Sequence, residues 1–97
     1  MADWQLTALQ SNLRTLIRDI PTRIVLDFLK YDGIITDASM QLILSIPHSF
    51  RNHALLAMLF SMGPDAFACF LLALNQAGRK DLSALLTISG DLKEMKL

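Results

Sequence analysis

A stretch of twenty residues, Leu55 to Leu74, carries only one formal charge, that of Asp65. Its length matches the roughly 20 apolar residues that an α-helix needs to cross a bilayer. Gly63, Pro64 and Asp65 fall in its middle, however, and Gly-Pro is a strong local break. An aspartate at the bilayer centre also costs about 2.5–3.5 kcal/mol on insertion scales. We therefore interpret the stretch as two helices that form a buried hairpin, with no insertion into a membrane.

The apolar spacing along the rest of the chain predicts an all-α fold. No segment alternates with period two for long enough to indicate a strand. Six helices are predicted, at residues 3–19, 21–31, 37–45, 50–62, 64–77 and 81–88. Thr36 and Ser49 are the predicted N-caps of the third and fourth helices, and each of the 4 glycines is predicted to end a helix. Residues 1–90 are expected to form one domain, and residues 91–97 a frayed C-terminal tail.

Two predictions concern how these helices face the core. In the second helix Ile24, Val25, Phe28 and Leu29 are predicted to face inward, whereas Arg23, Asp27 and Lys30 face solvent. Trp4 is expected to anchor the start of the first helix.

Composition limits the classes of partner. Nine basic residues balance nine acidic ones, which gives no electrostatic argument for nucleic acid as a partner. The hydrophobic fraction of 53% is high for a chain of 97 residues, and it suggests apolar surface that a partner protein covers. One cysteine excludes an internal disulfide, and the N-terminus lacks the pattern of a secretory signal. We therefore expect a cytoplasmic protein.

No catalytic, metal-binding or cofactor-binding residues are predicted. His48 and His53 are five positions apart, whereas two metal ligands on one helical face stand at i and i+4. Cys69 lies in an apolar run, where burial would raise the pKa of its thiol and leave it inert. The glycines form no phosphate-binding loop. The expected protein is not an enzyme and needs no cofactor.

The order of several motifs resembles a caspase activation and recruitment domain (CARD), a branch of the death-fold superfamily. The matching segments are "LIRDI" at the end of the first helix, "LDFLKYDGIIT", the "LLAML…MGPDAF" junction and "GRKDLSALL". Together they span about residues 3–88. The resemblance implies a six-helix antiparallel Greek-key bundle whose first helix is kinked. It also implies a homotypic activity, in which one CARD docks on another.

In this family an acidic surface of one domain meets a basic surface of another. The residues that match the acidic surface are Asp27, Asp32 and Asp37. The residues that match the basic surface are Arg14 and Arg18 in the first helix, and Arg51 and His53 in the fourth. Two departures weaken the basic surface: Leu13 stands where many members carry an arginine, and the fourth helix begins with few basic residues.

The function implied by the resemblance is recruitment or oligomerisation of CARD-containing partners in apoptotic or inflammatory signalling. The partner would be a caspase, a scaffold or an adaptor, and the chain itself could form a homo-oligomer or a helical filament. One alternative is a stand-alone decoy that blocks such assembly. The other is a helical protein that associates with membranes through Leu55–Leu74.

Overall fold

The computed structural model describes residues 3–95, and all regular secondary structure in that range is helical. The predicted all-α class is confirmed. A short 3-10 turn at His48–Phe50 precedes the fifth of seven α-helices. The helices are α1 (Asp3–Ser11), α2 (Leu13–Asp19), α3 (Thr22–Tyr31), α4 (Asp37–Leu44), α5 (Arg51–Phe60), α6 (Pro64–Gln76) and α7 (Lys80–Met95).

The predicted first helix is divided in two at Asn12. This residue leaves the helical region, with φ −113° and ψ 17°. Its side-chain amide donates a hydrogen bond to the Ala8 carbonyl at 2.8 Å. Asparagine side chains compete in this way for backbone groups, and the residue before Asn12 is Ser11, another poor helix former. The hydrophobic spacing is continuous across both helices, so it does not reveal the break.

The apolar stretch Leu55–Leu74 lies in two separate helices, as predicted. α5 ends at Phe60 and α6 begins at Pro64, with Gly63 as its extended N-cap residue. No helix within the described range is both long enough and apolar enough to cross a membrane. The two helices do not form the predicted hairpin, however, because each packs mainly on other helices: α5 on α2, α3 and α4, and α6 on α3 and α7.

Two of the predicted glycine terminators adopt the left-handed conformation that ends a helix. Gly33 has φ +77° after α3, and Gly78 has φ +81° after α6. In each case the next amide reaches back to close the last turn: Ile34 N–H donates to the Leu29 carbonyl at 2.9 Å, and Arg79 N–H to the Leu74 carbonyl at 2.8 Å. These turns set the directions in which α4 and α7 leave.

The N-cap predictions have different outcomes. Thr36 caps α4, since its hydroxyl oxygen accepts a hydrogen bond from the Ser39 amide at 3.1 Å. The prediction that Ser49 caps the next helix is wrong, because Ser49 lies inside the 3-10 turn and no side chain caps α5.

The last helix is longer than predicted. α7 runs from Lys80 to Met95 and passes through Gly90, so this glycine does not end a helix. A glycine inside a helix costs about 1 kcal/mol relative to alanine, which the rest of a helix of this length outweighs. Residues 96 and 97 of the predicted tail lie outside the described residues.

Leucine is the most frequent residue of the core. α3 faces this core with Val25, Leu26 and Leu29, whereas Ile24 is 46% exposed and Phe28 is only half-buried. The inward placement of Ile24 was therefore wrong. Trp4 anchors α1 as predicted, with its ring edge-on to Phe67 at a centroid distance of 5.4 Å. The largest fully buried side chains are Leu9, Leu16, Leu26, Leu29, Leu55, Leu56, Leu59, Phe67, Phe70, Leu74, Leu82 and Leu86.

Candidate functional site

The three predicted acidic residues are all exposed and lie around the C-terminal end of α3. Asp27 is in α3, Asp32 is the residue that ends it, and Asp37 is the first residue of α4. A shallow depression of about 350 Å³ brings the first two together between α3 and α6. Its lining residues are Asp27, Phe28, Tyr31, Asp32 and Gln76. We call this the acidic depression; it combines two carboxylates with two aromatic rings.

Two of the three carboxylates have ion pairs: Asp27 pairs within α3, with Arg23 Nε 3.7 Å from its Oδ1, and Asp37 pairs more closely with a lysine of α3. Lys30 Nζ lies 2.8 Å from Asp37 Oδ1. The hydrogen bond and charge of Lys30 lower the pKa of Asp37, with a smaller contribution from Gln41. Asp37 therefore links α3 to α4, and it does not line the acidic depression.

The predicted basic residues lie on two helices that pack against each other, α2 and α5. Arg14 and Arg18 are exposed on α2, and His53 is exposed on α5. Arg18 is paired with its neighbour Asp19, with Nε 3.0 Å from Oδ1. This hydrogen bond raises the pKa of Arg18 and lowers that of Asp19. Within the described part of the chain, Arg14 and His53 form no ion pair.

Arg51, the fourth predicted basic residue, is half-buried and serves the loop between α4 and α5. Its Nε donates to the Ile46 carbonyl at 3.0 Å, and its terminal nitrogen donates to the Leu44 carbonyl at 2.8 Å. The guanidinium therefore satisfies carbonyls at the end of α4 that the helix itself leaves without partners. Arg51 contributes positive charge to this side of the molecule, but two of its N–H donors are already bonded to these carbonyls.

A second depression, of about 550 Å³, lies where α2, α3 and the start of α5 meet. Its lining includes three arginines and one histidine but no described carboxylate. We call it the cationic cleft. It contains two of the predicted basic residues, Arg18 and Arg51, and two residues that were not predicted to belong to the basic surface, Arg23 and His48. The other lining residues are Ile17, Ile20, Pro21, Thr22, Ile24, Ser49 and Asn52.

Beside the cleft, Asn52 holds three chain segments together. Its side-chain amide donates to the Ile17 carbonyl at 2.8 Å and to the Ile20 carbonyl at 3.0 Å. Its side-chain oxygen accepts a hydrogen bond from the Thr22 hydroxyl. Asn52 is itself buried, so these bonds keep its polar atoms satisfied at the break between α2 and α3. Sequence reasoning missed this residue; the available signal was an asparagine three and four positions before Leu55 and Leu56.

Cys69 lies near the acidic depression and shows no sign of a reactive thiol. It is half-buried and packs against the core. Burial raises the pKa of its thiol, and the negative charges of Asp32 and Asp65 raise it further, as the sequence predicted in direction. Among the described residues, no group of three or more His, Cys, Asp or Glu side chains is arranged to hold a metal ion.

Comparison of the chain with protein-family models gives no match, and comparison with curated proteins gives no significant match.

Proposed function

We propose that this chain is a protein-interaction module of the CARD type, acting in a cytoplasmic signalling pathway by docking on the basic surface of another CARD. The observation that carries the proposal is the acidic depression. Asp27 and Asp32 stand exposed around one concave site beside Tyr31, where a partner's arginine or lysine can reach carboxylates and an aromatic ring together.

The arrangement of the helices supports the finer fold that the resemblance implies. α1 packs along α7, and α3 packs on α6, although neither pair is consecutive in the chain. Such contacts favour a crossed-over bundle, as in a Greek key, over a simple up-and-down arrangement. The break at Asn12 is compatible with a kinked first helix.

Charge separation supports a docking function. The acidic depression lies at the C-terminal end of α3, whereas Arg14, Arg18 and His53 lie on α2 and α5. Opposite charges on different faces steer association and fix its register, even where each pair adds little affinity. The chain carries no net charge, so this steering comes from the distribution of the charges.

The test is a binding titration of the chain against a panel of purified CARDs from caspases and adaptors. At least one member is expected to bind, with an affinity that falls as salt is raised. Asp27→Arg and Asp32→Arg should each weaken that binding about tenfold or more without changing the melting temperature, because truncating or reversing a central interface charge costs over about 1.4 kcal/mol. Asp3→Arg, an exposed charge reversal on α1, serves as the matched control and should leave binding unchanged.

The proposal fails if no CARD in the panel binds at millimolar concentration. It also fails if binding is equally strong in Asp27→Arg, Asp32→Arg and the Asp3→Arg control.

A further inference from the structure

The cationic cleft combines guanidinium groups with apolar side chains in one cavity. Its three arginines come from the three helices that meet there: Arg18 from α2, Arg23 from α3 and Arg51 from the start of α5. Ile24, which is 46% exposed, also lines the cleft, as does Ile17. No described carboxylate is part of the lining. A concave site in which positive groups converge without a carboxylate among them favours an anion as its ligand.

Two of the arginines keep N–H donors for a ligand although both are already hydrogen-bonded. The two carbonyls that Arg51 binds are neutral, so they use two of its donors and leave its charge in place. Arg18 binds the Asp19 carboxylate with Nε at 3.0 Å and Nη2 at 3.3 Å. A guanidinium has five N–H donors, so both side chains retain donors on the remaining terminal nitrogen.

Arg23 is held more loosely than the other two. Its Nε lies 3.7 Å from Asp27 Oδ1, which is longer than the roughly 2.7–3.2 Å of an N–H···O hydrogen bond. The two side chains are 70% and 57% exposed, so water weakens their attraction. Asp19 and Asp27 offset part of the positive charge from outside the cleft, and the binding expected there is therefore weak.

The first turn of α3 adds backbone donors to the same cleft. Thr22, Arg23 and Ile24 all line it, and the N-cap residue Pro21 supplies no side-chain cap. The first amide of α3 that bonds to a described backbone carbonyl is that of Val25, 3.1 Å from the Pro21 oxygen. The amides before it belong to the positive end of the helix, which supplements the field of the arginines.

We propose that the cationic cleft binds a small phosphate monoester, with its phosphoryl group on the arginines and its apolar part against Ile24 and Ile17. A phosphate monoester presents three terminal oxygens and close to two negative charges, whereas a carboxylate presents two oxygens and one charge. Three guanidinium groups from three helices match the phosphoryl group better. The cleft is separate from the acidic depression, so this ligand site goes beyond the proposed function and does not depend on it.

An NMR titration of the chain with phenyl phosphate tests the site, at constant ionic strength because salt screens the charges. Saturable shifts are expected for the amides of residues that line the cleft, with a Kd of about 1 mM or tighter. Inorganic phosphate lacks the apolar part, and phenol lacks the phosphoryl group. Each should therefore bind more weakly than phenyl phosphate.

Substitutions separate the two parts of the site. Arg18→Gln and Arg23→Gln should each weaken binding of phenyl phosphate about tenfold, because each removes charge-assisted hydrogen bonds to the phosphoryl group. Arg14→Gln is the matched control: it removes the same charge from an exposed position on α2 that does not line the cleft, and should leave binding unchanged. Ile24→Ala should weaken binding of phenyl phosphate about threefold and leave that of inorganic phosphate unchanged.

Four outcomes would overturn the proposal. The first is the lack of saturable shifts up to about 20 mM phenyl phosphate, a concentration well above the expected Kd. The second is an equal loss of binding in Arg14→Gln and Arg23→Gln, which would show attraction by overall charge alone. The third is phenyl phosphate that binds no more tightly than inorganic phosphate. The fourth is binding to vesicles that contain phosphatidic acid without binding to phenyl phosphate, which would replace the small ester by a lipid headgroup.

Discussion

Charged side chains at the C-terminal end of α3 and on the α2–α5 side of the molecule differ in their hydrogen-bond partners. Around the end of α3, Asp27 and Asp32 are exposed at the edge of an open depression. On the α2–α5 side, Arg51 is half-buried and its guanidinium is bonded to the Ile46 and Leu44 carbonyls. The difference follows from hydrogen-bonding chemistry, because the long arginine side chain brings N–H donors to the unsatisfied carbonyls at a helix end, whereas an ionised aspartate only accepts hydrogen bonds. Each side therefore keeps one exposed charge outside the described ion pairs, Asp32 at the end of α3 and Arg14 on α2, whereas Arg51 is bonded to the backbone.

The α2–α3 junction shows the structural role of polar groups most clearly. Asn52 binds the Ile17 and Ile20 carbonyls, and Arg79 binds the Asp19 carbonyl at 3.1 Å. Arg79 is fixed in turn by Asp81, with Nη2 2.9 Å from Oδ2. Two side chains from distant parts of the sequence thus satisfy the end of α2, where Pro21 prevents the helix from continuing.

Among the predicted losses of stability, the largest is expected on replacing Asn52. Asn52→Ala leaves two helix-end carbonyls and the Thr22 hydroxyl without their partner, so the free energy of unfolding should fall by about 2–4 kcal/mol. Urea denaturation measures it. Thr22→Val removes only one hydrogen bond of the same cluster and should cost about 1 kcal/mol. If Asn52→Ala costs no more than Thr22→Val, the junction is not held by Asn52.

Arginines of the predicted basic surface should separate into two groups. Arg51→Ala should lower the free energy of unfolding by about 1–2 kcal/mol, because it removes two charge-assisted hydrogen bonds to backbone carbonyls. Arg14→Ala, at an exposed position on α2, should change it by less than about 0.5 kcal/mol. Both are measured by urea denaturation, side by side.

Arg51→Lys refines that experiment. A lysine carries the same charge but cannot bridge two carbonyls with a planar fork, so it should restore little of the lost stability. Full recovery of stability in Arg51→Lys would show that charge alone, and not the two carbonyl bonds, accounts for the role of Arg51. An equal loss of stability in Arg14→Ala would show that Arg51 has no special structural role.

Local sequence signals predicted several helix ends, although the Ser49 cap and the Gly90 terminator were wrong. The Gly63–Pro64 break, the Thr36 cap and the Gly33 and Gly78 terminators each depend on the conformational preference of one or two residues. The exposure of the acidic residues was predictable for a similar reason, since aspartates on the polar face of a short helix remain in solvent.

Predictions that needed distant partners failed. α3 contains apolar residues at 24, 25, 26, 28 and 29, an arc too broad for periodicity to choose its centre. Packing on α4, α5 and α6 decides it, so Leu26 is buried and Ile24 is exposed. Asn52 was missed because the carbonyls it binds lie more than thirty positions earlier in the chain. The engagement of Arg51 depends on the path of the α4–α5 loop, which the 3-10 turn creates.

The smallest expected effect concerns Asp37, whose ion pair with Lys30 is shorter, at 2.8 Å, than the 3.7 Å pair between Arg23 and Asp27. Lys30 lowers its pKa in the folded chain below the unfolded value, so the pair contributes stability above the unfolded pKa. That contribution is lost as the pH falls through the folded pKa, below about pH 4. In Lys30→Gln, the pKa of Asp37 should rise toward its ordinary value, as followed by NMR titration. The pKa of Asp81, which Arg79 lowers, should stay the same in that variant. Because both partners are exposed, the change in overall stability should be slight. An Asp37 pKa that does not change in Lys30→Gln would mean that Lys30 does not pair with Asp37 in solution.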